Sequence, residues 1–115
     1  MDDRTRAWLY DILNAIQEID SYFDEGEKNL QYFSNTLPLK GAVERELEII
    51  GTSMERFTTH LPETKISYAA EIMDTSERLS RPEEPVSNQM LWGIVEQYLP
   101  RIRDEIHLLI IQRSQ

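Results

Sequence analysis

The chain has 115 residues, a formal net charge of −9 at pH 7 and no cysteine. The missing thiols exclude disulfides, thiolate zinc sites and cysteine nucleophiles, and the acidity repels polyanions on average, so non-specific nucleic-acid binding is disfavoured. A single domain over residues 1–115 is expected, large enough to bury a core and small enough for its helices to associate with a second copy.

The charged start Met1-Asp2-Asp3-Arg4-Thr5-Arg6 contains no apolar signal core. The longest apolar run, Leu108-Leu109-Ile110-Ile111, falls far short of the roughly 20 residues that span a bilayer. A soluble, cytoplasmic protein with no membrane partner is the expectation.

From Thr5 to Glu25, Trp8, Leu9, Ile12, Ile16, Ile19 and Phe23 recur at the three- and four-residue steps of one helix face. Gly26 is placed to end this first long helix. Leu30-Gln31-Tyr32-Phe33 suits a turn or two of helix. After Leu37-Pro38-Leu39, the stripe Val43, Leu47, Ile50, Met54, Phe57 and Leu61 predicts a second long helix ending at Pro62. Glu63 to Leu79 carries a weaker set, and Thr75-Ser76 interrupts it with poor helix formers, so the third helix should be short or frayed. Arg81-Pro82-Glu83-Glu84-Pro85 reads as a loop, because each proline disfavours helical backbone in the residue before it. Ser87 can cap a last long helix running from Met90 to Ile110, with Pro100 inside it predicting a kink or a break. With no strand pattern, the fold class is all-α, an antiparallel up-and-down helical bundle.

Little in the chain has the spacing of a metal or cofactor site. His60 and His107 stand alone, and no Glu is followed three residues later by His, so neither a metal nor a cofactor is expected. His60 suits a helix C-terminus, where its ring meets the dipole, and His107 a helix flank. Glu44, Glu48 and Glu55 can share one helix face and read as solvated carboxylates. Gly26, Gly41, Gly51 and Gly93 are isolated, so phosphate-cradling loops are absent. The aromatic residues fall mostly on apolar helix faces, and packing explains them better than base stacking; for Trp8 and Trp92, the rim of a dimer interface would accommodate the indole N–H groups.

Three phrases in this layout, Asp11-Ile12-Leu13-Asn14-Ala15-Ile16, Arg45-Glu46-Leu47-Glu48-Ile49-Ile50-Gly51 and Leu91-Trp92-Gly93-Ile94-Val95 before Leu99-Pro100, resemble the HepT-like branch of the HEPN family in order and interval along nearly the whole chain. The resemblance implies a helical dimer of the toxin–antitoxin type, ribonuclease chemistry without a metal, and a nucleotidyltransferase partner of the MNT type that modifies a tyrosine beside the active site. The family's motif is an Arg, a polar spacer, a His, one residue and a Tyr. Counted back from Trp92, Ser76 stands where the Arg would be, Arg81 in place of the His and Glu83 in place of the Tyr, while Arg78 and Leu79 agree with the spacer.

Arg81 holds its proton throughout the physiological range and cannot replace a histidine as a proton shuttle. Glu83 and Glu84 set negative charge where phosphate would sit, and Glu83 offers no phenolic acceptor. The sequence therefore points to a HepT-like protein that has lost catalysis, with no catalytic residue assigned, and that works as a homodimer binding a nucleotidyltransferase-type partner. The alternative is an RNA endonuclease using a rearranged set, His60 or His107 with Arg78 and Arg81 brought together by the dimer.

Overall fold

The computed structural model describes residues 1–23, 28–81 and 83–113, and the element types among them are helices and turns. Helix α1 spans Asp3–Ser21, α2 Leu30–Asn35, α3 Leu37–His60, α4 Ala69–Leu79 and α5 Asn88–Gly93; a π-helical turn over Ile94–Tyr98 then leads into α6, Leu99–Arg113. The all-α class is as expected.

Three of the starts are fixed by side chains that accept from an otherwise orphaned backbone N–H. The Thr5 N–H donates to Asp2 Oδ1 at 2.7 Å, the Tyr32 N–H to Asn29 Oδ1 at 2.8 Å and the Met90 N–H to Ser87 Oγ at 3.1 Å. The last is the cap expected at Ser87.

Other boundaries differ from the sequence expectation. α1 ends at Ser21 with Tyr22 as its cap, short of Glu25, and the Gly26 stop lies outside the described residues. α3 begins at Leu37, with Pro38 in its first turn where a proline forfeits no hydrogen bond, so the stretch read as a lead-in is already helix. α4 begins only at Ala69, because Ser67 is bonded to Glu105 of α6 and Tyr68 takes a left-handed backbone. Thr75-Ser76 does not interrupt α4: Thr75 is buried and Ser76 packs against α3, so tertiary contact outweighs propensity.

Pro100 acts one turn upstream of itself. Lacking an N–H, and with a ring that would press on the carbonyl four residues earlier, it disfavours a regular α-turn before it. The turn widens, and the Leu99 N–H donates to the Ile94 carbonyl, five residues back. The helical course from Asn88 to Arg113 thus continues through the proline.

Helix α1 lies antiparallel to α3: Arg4 and Trp8 meet His60 at the opposite end of α3. It is also antiparallel to α6, where Asp20 faces Arg103. The faces between them are the predicted stripes, Leu9, Ile12, Ile16 and Ile19 against Val43, Leu47, Ile50, Met54 and Phe57, closed by Leu91, Val95, Leu99, Ile102 and Ile106, all buried. Each such side chain contributes roughly 1.5–3 kcal/mol on leaving water. Trp92 belongs to this core, packed on Phe23 and Phe33, with its indole N–H donating to Glu96 at 3.1 Å.

Two local arrangements hold α4 in place. At its middle, a Cβ on Gly51 would overlap Ser76 Cβ and Oγ, so α3 and α4 touch there almost backbone to side chain, and Ser76 Oγ donates to the Glu48 carbonyl at 3.3 Å. At its start, Glu105 of α6 accepts from the Ser67 N–H at 2.8 Å, the Ser67 hydroxyl at 2.6 Å and Arg101 Nε at 3.1 Å. The next residue, Tyr68, takes a left-handed backbone (φ 63°) and stacks on Tyr98, ring centroids 4.0 Å apart.

Gly51→Ala is expected to cost about 1–3 kcal/mol by overpacking the crossing, and Ser76→Gly in the same chain to recover part of that loss, as a double-mutant cycle by chemical denaturation would measure. Burial raises the Glu105 carboxyl, but the Ser67 hydrogen bonds and Arg101 outweigh it and hold the group below the ordinary carboxylate range. Its contribution to stability is therefore complete above that range and lost as pH falls through the lowered value. Glu105→Gln should flatten that acid limb of the stability profile.

Candidate functional site

The segment standing in the motif's place runs along the second half of α4 and into the following connection, and most of its polar side chains already have partners. Ser76 is the contact residue of the α3–α4 crossing. Arg78 reaches Met90 Sδ at 3.7 Å, fastening α4 to α5. Arg81 is held between Glu77 at 3.6 Å and Glu84 at 3.0 Å. Glu83 is exposed, the residue before Glu84 of that cluster, and makes no ion pair among the described residues. Carboxylates therefore surround the only arginine in the motif's core positions, which spends its charge before any phosphate could meet it.

His60 is the last residue of α3, as expected of a helix-terminal histidine, but its bonds are more specific than a dipole contact. Arg4 Nη2 lies 3.0 Å from His60 Nε2, and Nδ1 lies 3.2 Å from the Arg56 carbonyl. A guanidinium can only donate, so Nε2 accepts and the proton resides on Nδ1, where it meets the carbonyl. Trp8 packs its ring against the imidazole edge, centroids 4.7 Å apart, with the Arg4 guanidinium 5.5 Å from the indole centroid. The lone pair that a general base would need is thus occupied by Arg4.

His107 is on an exposed flank of α6 and lines a cavity of about 180 Å3 with Leu13, Ile16, Gln17, Asp20 and Arg103. Within one chain the rearranged set does not assemble. α3 and α4 run antiparallel, and His60 is twelve residues along α3 from Glu48, where Ser76 docks, which is about 18 Å of helix. His107 faces α1, away from Arg78 and Arg81.

The groove beside the crossing went unnoticed in the sequence. It encloses about 870 Å3 between α3 and α4, and Glu48, Glu55, Asp74 and Glu77 form its walls. The periodicity placed Glu48 and Glu55 on one face of α3 correctly, but Asp74 and Glu77 join them only through the helix pairing. Glu44 does not line it. Among the described residues, no group of three or more His, Cys, Asp or Glu is arranged to hold a metal ion, and no helix is long and apolar enough to cross a membrane.

A second acidic contact joins α1 to α3. Burial raises the Glu46 carboxyl above its ordinary value, and the nearby Glu18 charge adds to the effect; burial, with Glu46 and Glu18, likewise raises the Tyr22 hydroxyl. This is a cost to folding rather than a functional pair, since no substrate-sized cavity opens onto it among those described.

No protein-family model, curated protein or solved structure matches the chain significantly.

Glu46 titrates in the folded state above its unfolded value, so its penalty is felt at neutral pH and relieved as pH falls through the raised value. Glu46→Gln should therefore raise the melting temperature at pH 7 and leave it nearly unchanged near pH 4, as differential scanning calorimetry would record.

Proposed function

We propose that this chain is a HepT-like HEPN protein of the toxin–antitoxin type that performs no catalysis and acts, as a homodimer, by binding a nucleotidyltransferase-type protein partner. One observation carries the reading: the histidine and arginine nearest to supplying acid–base or phosphate-stabilising chemistry, with Ser76 in the motif's first position, are committed to packing or to internal polar contacts, and the remaining motif position, Glu83, is an exposed carboxylate. Ser76 touches Gly51, Arg81 is shared by Glu77 and Glu84, and His60 accepts from Arg4. Nuclease chemistry asks for the opposite, a proton-transfer group and a cation facing a common space.

The all-helical architecture is compatible with the resemblance read from residues 11–16, 45–51 and 91–100. The exposed apolar side chains Leu108 and Ile111 near the end of α6, 55% and 58% exposed, are of the kind that a second subunit covers.

Labelled single-stranded RNA incubated with the purified chain should remain intact. A variant carrying Ser76→Arg, Arg81→His and Glu83→Tyr, its fold checked by circular dichroism because Ser76 sits at the crossing, should gain at least about 10²-fold in cleavage, the contribution of a positioned acid–base group. Cleavage by the unmodified chain that His60→Ala or His107→Ala removes would replace this reading with the rearranged ribonuclease. A monomeric mass by light scattering at micromolar concentration would overturn the dimer.

A further inference from the structure

We infer that the groove between α3 and α4 is a docking site for a basic amphipathic helix of a protein partner, an inference that rests on the reading of the chain as a protein-binding module and gives that module its surface. The walls are Glu48, Thr52 and Glu55 on α3 and Ala70, Asp74, Glu77 and Ser80 on α4; Gly51, Ser76 and Met73 complete the lining. No Lys, Arg or His lines it.

Three of the four carboxylates are uncompensated. Glu77 shares Arg81, but Glu48, Glu55 and Asp74 make no ion pair among the described residues, in a chain that still holds cations elsewhere on its surface. Same-sign charges gathered on two packed helices repel one another, and a cationic partner relieves that repulsion on binding. The sign excludes a nucleic acid as occupant. A metal ion does not fit either, since these carboxylates do not converge.

The lining also chooses the shape of the partner. Both walls are helices whose backbone groups are internally bonded, so there is no free edge for an added strand, and the mode left is a helix lying in a groove. Glu48 to Glu55 spans about 10 Å and Ala70 to Ser80 about 15 Å, room for two to three turns. Gly51 and Ser76 are taken up by their own contact at the floor, and Met73 with Ala70 gives the lining an adaptable apolar contact between the acidic walls. The fitting ligand carries an apolar stripe flanked by Lys or Arg at three- and four-residue spacing.

A second copy of this chain is a poorer occupant. Its most basic helix, α6, has its arginines engaged: Arg101 with Glu105, Arg103 with Asp20 and Asp104, and Arg113 with the Thr64 hydroxyl.

The test is a titration of the isotope-labelled protein, followed by nuclear magnetic resonance, with a synthetic helical peptide of about four turns bearing a leucine stripe flanked by lysines. Three proteins are compared: the natural chain, a groove variant (Glu48→Gln, Glu55→Gln, Asp74→Asn) and a variant with the same charge change at remote exposed positions (Asp11→Asn, Glu63→Gln, Glu83→Gln). The expected result is shifts centred on Thr52, Glu55, Ala70 and Met73, binding at least about tenfold weaker in the groove variant, as three lost rim contacts of about 0.5 kcal/mol each imply, and binding close to that of the natural chain in the remote variant. Equal weakening in both variants, no binding, or perturbation of the groove by self-association without peptide would overturn the proposal. Shifts centred elsewhere would overturn the groove alone and leave the protein-binding reading in place, whereas RNA cleavage by the unmodified chain would remove that reading whatever the peptide does.

Discussion

At Gly51, helices α3 and α4 approach so closely that a single added methyl group would collide with Ser76. Much of what distinguishes this molecule depends on that contact. α4 is only eleven residues long and buries just Ile72 and Thr75, too little to hold an isolated helix, so its helicity and position come from α3. The crossing brings Asp74 and Glu77 opposite Glu48 and Glu55, and it converts Ser76 from a residue that could face a ligand into one that faces a helix. A side chain of arginine size at position 76 and a tight crossing at position 51 compete for the same space.

The far end of α4 is governed by a different constraint. The connection from α3 is stapled to α6 by Glu105, whose carboxylate takes both donors of Ser67, and the chain then turns through a left-handed Tyr68. That conformation carries a cost of order 1 kcal/mol or more for a residue with a side chain. The stack on Tyr98 offsets part of it, and Tyr98 ends the widened turn that Pro100 imposes. A proline in α6 and a strained tyrosine at the start of α4 are thus linked through one aromatic pair. Local backbone rules and tertiary packing meet at the same place.

How much of this could be read from the sequence follows from the distance over which each cause acts. The stripes of α1 and α3, the short α2, the Ser87 cap and the disturbance around Pro100 depend on neighbours within a turn or two, and the residue pattern carries them. The start of α4 depends on Ser67 meeting Glu105, thirty-eight positions away, and the helicity of Thr75-Ser76 on Gly51. Neither partner is marked locally: an isolated glycine in a helix reads as a weak point until the facing helix is known. The start of α3 was missed for a nearer reason, since Pro38 signals a break equally well as a first turn. His60 was correctly placed at a helix end, but Arg4, which takes its lone pair, is fifty-six positions earlier.

Charge shows the same division between what is local and what is assembled. The total of −9 describes the chain as uniformly hostile to anions, yet the arginines are not spread evenly over the surface. Arg81 after α4 and Arg101 of α6 are absorbed by carboxylates three or four residues away, an economy any helix can arrange by itself, while Arg103 is shared by its neighbour Asp104 and by Asp20 of α1. Among the acids left without an ion pair, Glu48, Glu55 and Asp74 are the ones that the α3–α4 pairing brings together. Surface pairs of this kind stabilise little on their own, so in the proposed reading the distribution bears on recognition more than on folding: Arg81 is neutralised by Glu77 and Glu84, while Glu48, Glu55 and Asp74 in the groove are left without an ion pair. The ion pairs around Arg81 and the bare carboxylates beside Gly51 both disfavour a polyanion, which is the electrostatic side of the proposed protein-binding role.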